Sequence, residues 1–207
     1  MQFKKSYNSD DILKTAEKLF LKNGFSRTSM RDIAEKSGVG LGNIYNYFKN
    51  KDEIFCRIVE PVVKTLENET DKHHDPENSD LFFTELQTMS AQYISRQAEA
   101  YLTLIKKHRR QMELLFFRAE GSSMEKFFER FTDRTTEKVK LFLSALNQKL
   151  PQAAHTFDDF TIHIHTVWMI TFFREIIMHK ISLEKARNII SDYITFESAG
   201  WLELMKR

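Results

Sequence analysis

Arg31, Asn43, Tyr45, Asn46, Tyr47 and Lys51 lie close together in the stretch Thr28–Phe55, TSMRDIAEKSGVGLGNIYNYFKNKDEIF. Side chains of these types recognise rather than react. A carboxamide sets a donor beside an acceptor and can make paired hydrogen bonds to an adenine edge, and a tyrosine hydroxyl can reach a phosphate. Ile44 and Phe48 lie four residues apart and would face a core, which leaves Asn43, Asn46 and Tyr47 outward. Tyr45 and Tyr47 would also serve as packing residues with wet hydroxyls. No Gly-rich phosphate loop, HExxH, cysteine cluster or serine-nucleophile motif occurs in the chain, so the sequence reads as a binder and not as an enzyme.

Three short helices must position these groups. The first, ILKTAEKLFLKNGF, has cap candidates in Asn8 to Asp11 and a buried stripe of Ile12, Ala16, Leu19 and Phe20, which Phe25 extends. Lys14, Lys18 and Lys22 follow i, i+4 spacing on the other face, and Gly24 is placed to end the helix in the left-handed conformation. The second starts at Thr28 or Ser29, with Asp32 at the capping-box position, Met30, Ile33 and Ala34 inward, Arg31 outward, and Gly38 at its end. Val39 is the apolar plug before a very short third helix, Leu41–Phe48. Two short helices joined by a tight turn are the minimal device for presenting a helix to the DNA major groove.

The bulk properties agree with that reading. Of 207 residues, 42% are hydrophobic and 29% charged, as in an ordinary soluble protein, and only 6 Gly and 3 Pro favour helices over hairpins. The net charge is +2, but residues 1–51 hold ten Lys or Arg against five Asp or Glu, and the remainder 21 against 24. A basic head on a mildly acidic body suits a polyanion bound at one end. The single cysteine, Cys56, cannot form an internal disulfide and reads as a small hydrophobe in a helix. The opening residues MQFKKSYNSDD lack an apolar leader core, and no run approaches the ~18 apolar residues of a membrane span, so a cytoplasmic location without membrane partners is expected.

Thr28–Phe55 resembles the DNA-binding signature of TetR-family transcriptional regulators: Thr-Ser-Met-x-x-Ile-Ala, then Gly-Val-x-x-Gly, then Ile-Tyr-x-Tyr-Phe-x-x-Lys-Asp-x-Ile-Phe. With the first helix, the resemblance covers about the first quarter of the chain. Gly40 stands where the family often has a capping serine, and Ser37 where it prefers alanine. The resemblance implies an all-α fold of about nine helices. Residues 1–51 would form a three-helix helix-turn-helix domain, and residues 52–207 a helical effector-binding and dimerisation domain. It implies phosphate contacts from Thr28, Ser29, Tyr45, Tyr47 and Lys51, and base-edge contacts from Arg31, Leu41, Gly42, Asn43 and Asn46. Asn50 as cap and Glu53 at the box position would add a helix N-terminus beside the Lys51 cation.

In the body, the pattern predicts a helix from Asp52 to about Glu69 containing Pro61, and a loop over Asp71–Asp80. Helices are then expected over Leu81–Lys107, through RRQMELLFFRAEG, and over Ser123–Lys149, Phe157–Lys180 and Leu183–Lys206. The adjacent pair His73-His74 in a loop lacks preset metal geometry, and His163 and His165 cannot face the same way, so no metal or other cofactor is expected. The ring-rich middle is where the family keeps its effector pocket, and the candidates for its lining are Tyr93, Gln97, Tyr101, Phe116, Phe117, Phe127, Trp168 and Phe172. Family members dimerise through their final helix pair, which points to Ile190, Tyr193, Gly200, Trp201 and Leu204. The leading expectation is a homodimeric repressor on a palindromic DNA operator, released by a small apolar or aromatic molecule. The alternative is a regulator whose body answers to a protein partner or to no ligand.

Overall fold

The computed structural model describes residues 9–151 and 156–205. Those residues form nine α-helices and one 3-10 turn, with no strand among them. Helix α1 is Ser9–Asn23, with Asp10 and Asp11 in its first turn, where carboxylates offset the helix dipole. Ile12, Ala16 and Phe20 are fully buried on one face, while Lys14, Lys18 and Lys22 are exposed. Gly24, at φ +84°, ends the helix and donates its N–H to the Phe20 carbonyl at 2.8 Å. Asn8, a cap candidate, lies outside the described residues.

Helix α2, Met30–Ser37, is closed at both ends by its sequence: Ser29 and Asp32 form a complete capping box, and Gly38 takes the left-handed conformation at φ 71°. Helix α3 is Leu41–Tyr45, shorter than the expected Leu41–Phe48. Its last turn is tightened rather than lost. The Tyr47 and Phe48 N–H groups both reach the Ile44 carbonyl, at 2.9 and 3.0 Å, which turns Phe48 into the core.

Helix α4, Lys51–His73, runs through Pro61 and past the expected end at Glu69. The expected loop Asp71–Asp80 is instead the end of α4, a 3-10 turn over Pro76–Asn78 and the start of α5, Ser79–Thr88. Polarity misled there: Asp75 caps the turn through the Glu77 N–H at 3.0 Å. His73 and His74 pack edge-on against the rings of Phe82 and Phe142.

The single helix expected over Leu81–Lys107 is also corrected. Met89, at φ 40°, ends α5, and Ser90 restarts the chain by accepting the Tyr93 N–H at 3.1 Å. Helix α6, Ala91–Phe117, then absorbs the segment expected to be separate, with one non-helical residue at His108. The buried His108 ring meets the Thr65 hydroxyl at 3.2 Å. Helices α7 (Phe127–Lys149), α8 (Asp159–Met178) and α9 (Leu183–Leu204) complete the chain. Asp158 caps α8 and Ser182 caps α9 through their side chains. Helices α7 and α8 are a few residues shorter than periodicity suggests, because the turn around Gly121 (φ 82°) and the Asp158 cap take up flanking residues, while the expected end of α9 at Lys206 lies outside the described residues.

The chain divides into two compact units. One gathers residues up to Lys64 together with Arg110–Phe127; the other comprises Thr65–Arg109 and residues from Phe128 onward. The first unit therefore exceeds the 1–51 head. Within it, Phe25 donates its N–H to the Arg118 carbonyl at 2.9 Å, Ser123 donates its N–H to Asp52 at 2.8 Å, and Arg110 pairs with Glu17 at 3.2 Å. In the second unit, Phe83, Phe142, Leu143, Leu146 and Ile162 form a buried cluster.

Burial holds the His73 imidazole below its ordinary pKa, and burial reinforced by His73 brings that of His74 down to about 3. The unfolded chain protonates these rings below about pH 6.5, whereas the folded protein resists doing so. Their contribution to stability is thus fully present above pH 6.5 and is lost as pH falls toward 3, by up to about 1.4 kcal/mol per pH unit for each ring. Denaturant titrations at pH 7 and pH 5 are expected to show a lower midpoint at pH 5, and His74→Gln to flatten the difference.

Candidate functional site

The first unit presents its recognition groups from a rigid base. Ile33, Val39, Ile44, Phe48, Ile54 and Phe55 are all at most 5% exposed, so α2, the turn, α3 and the start of α4 share one core. From that base Arg31, Gly42, Asn43, Tyr45, Asn46 and Tyr47 all reach solvent, and Leu41 is half-buried. Tyr45 and Tyr47 are 51% and 47% exposed, so both reach solvent, although the Tyr47 ring also lies against Phe48. Two hydroxyls, two carboxamides and a guanidinium can together contact base edges and phosphates.

Three further residues are already committed to the scaffold. Thr28 is 1% exposed, and its hydroxyl donates to the Gly24 carbonyl at 2.8 Å. The Ser29 hydroxyl donates to Asp32 at 2.7 Å and accepts the Asp32 N–H at 3.1 Å; the hydroxyl bond, with the Ser29 N–H donated to the same carboxylate at 2.7 Å, holds the Asp32 carboxyl below the usual range. The Lys51 ammonium donates to the Phe25 carbonyl at 2.7 Å and lies 4.1 Å above the Phe25 ring. Burial lowers the Lys51 pKa, opposed by Asp32 and Asp52. An ammonium has three N–H donors and Phe25 takes one, so Lys51 can anchor the loop and still face an anion. At the start of α4, Asn50 accepts the Glu53 N–H at 2.8 Å. The Glu53 carboxylate takes the Lys49 N–H at 2.7 Å, one residue earlier than in an ordinary capping box.

The second unit contains a cavity of about 170 Å³. Tyr93, Gln97 and Tyr101 line it. Phe116, Phe117 and Phe127 belong to the first unit; Trp168 is half-exposed, and Phe172 stacks on Tyr193 at 4.2 Å without lining the space. Tyr193 and Trp201, expected at an interface between copies, line the cavity. Ile190 is fully buried within the chain, Gly200 is exposed and Leu204 half-buried. Sequence reasoning missed His74, Phe142, His165 and Glu197. For Glu197 there was a signal, since it lies four residues from both Tyr193 and Trp201 on α9 and so shares their face. Burial, with smaller effects of Tyr93 and Glu197, pushes the Tyr101 hydroxyl up to about 12.

Among the described residues no group of three or more His, Cys, Asp or Glu side chains could hold a metal ion, and no helix is long and apolar enough to cross a membrane.

The first unit holds a helix-turn-helix with exposed amide, phenol and guanidinium groups, and the described residues of the second unit form helices without a strand. The profile of bacterial regulatory proteins of the tetR family matches residues 12–58. An uncharacterised HTH-type transcriptional regulator of Bacillus subtilis, YhgD, is 37% identical over 65 residues, which are 31% of this chain and 34% of that protein. The HTH-type transcriptional regulator TtgR of Pseudomonas putida is 41% identical over 54 residues, 26% of each chain. The chain thus spans about a third or less of the length of these relatives. Beyond the head, a TetR-like transcriptional regulator from Rhodococcus shares the fold at a TM-score of 0.60 and 18% identity, over 96% of this chain and all of that one. Residues 12–58 thus match the DNA-binding part of tetR-family regulators, and the described helices share the fold of the Rhodococcus protein.

Thr28→Val is expected to lower stability by about 1–3 kcal/mol, because the Gly24 carbonyl loses its buried donor. Ser29→Ala should cost about 0.5–2 kcal/mol through the lost cap. Denaturant unfolding of both variants checks these values.

Proposed function

We propose that this protein is a homodimeric transcriptional repressor of the cytoplasm that binds a palindromic DNA operator and leaves it when a small molecule occupies the body cavity. The observation that carries the reading is the outward row of Arg31, Asn43, Tyr45, Asn46 and Tyr47 on a capped, fully packed helix-turn-helix. Arg31 and Asn46 would choose sequence, while Tyr47 and Lys51 would hold phosphates. Two copies would read half-sites about 34–36 Å apart in successive major grooves. A ligand would act only through unequal affinity for the DNA-competent and released arrangements.

Support for dimerisation comes from the last two helices. Phe160 and Trp168 on α8 are 67% and 50% exposed, and Phe196 on α9 is 66% exposed. Gly200, one turn beyond Phe196, is also exposed, and an added Cβ there meets nothing within 4 Å. Large apolar side chains left in water on neighbouring helices suit contact with a second copy. Ile190, Tyr193 and Trp201 are occupied inside the chain, so the interface would centre on Phe160, Trp168 and Phe196.

Gel shifts with palindromic and scrambled duplexes test DNA reading, and equal affinity for all of them would sink it. Asn46→Ala is expected to weaken binding to the preferred duplex by about 1–3 kcal/mol and to narrow its margin over scrambled DNA. Sedimentation should show a dimer for the protein as it exists and a monomer for Phe196→Glu, with helical content unchanged.

A further inference from the structure

The cavity in the second unit is unusual in its charge. Its lining holds one carboxylate, Glu197, and no lysine or arginine. Nothing in the protein hydrogen-bonds the buried Glu197 Oε1, and two further buried atoms of the lining, Thr135 Oγ1 and His165 Nδ1, also lack a partner. His165 Nδ1 stands 3.6 Å from Glu197 Oε2, too far for a hydrogen bond. His73 and His74, the other nitrogen bases of the lining, are held neutral by burial. The Tyr193 hydroxyl hydrogen-bonds the Glu197 side chain from one turn away, and burial followed by the Glu197 charge raises its pKa well above the ordinary value. This geometry leaves an acceptor-rich, anionic point inside an aromatic box.

Such a box has one kind of complement. Burying an unpaired carboxylate is strongly unfavourable, and removing one partner of a buried pair exposes the whole penalty. An anionic ligand would add a second negative charge with no lysine or arginine to meet it. A neutral apolar ligand would leave Glu197 as it is. An organic cation would pair with Glu197, and the faces of Tyr101, Tyr193 and Trp201 would attract its charge through their ring quadrupoles. The volume sets the size: an apolar protein cavity of about 150 Å³ accepts benzene, so about 170 Å³ admits one ring and a small charged head.

From a Glu197 carboxylate with one buried oxygen left without a partner, in an aromatic cavity without lysine or arginine, we infer that the body binds a compact organic cation, an aromatic or cyclic amine or ammonium, with Glu197 as counter-ion. The inference rests on the reading of the body as an effector-binding domain and names the chemistry of its ligand. Glu197 sets selectivity for charge, while the rings and the apolar lining set shape.

The test uses three probes of similar size on the full-length protein: benzyltrimethylammonium, its uncharged isostere neopentylbenzene, and the anion phenylacetate. Intrinsic fluorescence reports binding, because Trp201 lines the cavity and only one other tryptophan, Trp168, is present. Benzyltrimethylammonium is expected to bind at least tenfold tighter than neopentylbenzene, with phenylacetate weakest. Glu197→Gln should erase most of that cation preference while leaving neopentylbenzene within threefold. A preference for the neutral or anionic probe, binding by none of the three, or a cation preference that survives in Glu197→Gln would each overturn the inference. Wild-type selectivity among the probes stands as a test even if Glu197→Gln fails to fold. Release of DNA is read separately: cation binding without loss of the gel-shifted complex would uphold the pocket chemistry and refute the ligand-released repressor.

Discussion

Three phenylalanine rings hold the head together. Phe20 on α1, Phe25 just after it and Phe55 on α4 meet pairwise at 5.3 to 5.8 Å between centroids, two of the contacts edge to face. Everything that α2 and α3 present depends on this cluster. It fixes where α1 ends and where α4 begins, and the two short helices between them are too short to hold a shape alone. Each ring of such a cluster contributes area burial and a favourable quadrupole geometry. The Lys51 ammonium seated over Phe25 extends the same cluster to the protein surface.

The head was legible in the sequence because its instructions are local. Ser29 and Asp32 lie three residues apart and close on each other; Gly24 and Gly38 mark helix ends because they take up positive φ without steric strain. The body was harder for the same reason. Met89 takes a left-handed conformation that no local residue type announces, so α5 and α6 read as one helix. The run from Asp71 to Asp80 looks like a loop by composition, yet Asp71 pairs with Arg134 and Lys138, and Asp80 with Lys149, all distant in sequence. Charge there marks ion pairs between helices of the body, not solvent.

The cavity shows the same limit more sharply. Tyr93, Gln97 and Tyr101 could be named from one helical stripe, but His74 arrives from just past the end of α4, and Phe142, His165 and Glu197 from three further helices. Aromatic content alone pointed to Phe116 and Phe117, which pack on each other in the first unit. What separates lining from core is not ring density but polar atoms left without partners, and those are visible only once the helices are assembled. Tyr193 and Trp201, read from the sequence as interface residues, also line this cavity. A helical projection gives the face of a residue but not which neighbour covers it.

Lys51 illustrates how an electrostatic contact can be prepared before it is made. A free lysine side chain is among the most mobile, and confining it to one geometry costs up to about 2 kcal/mol in rotamer entropy. Here the Phe25 carbonyl and ring have already confined it and removed part of its water. Under the proposed function, an incoming phosphate would meet a cation whose ordering and part of whose desolvation were settled during folding. The stability of the head and the proposed hold on a polyanion would then be two readings of one stored preorganisation.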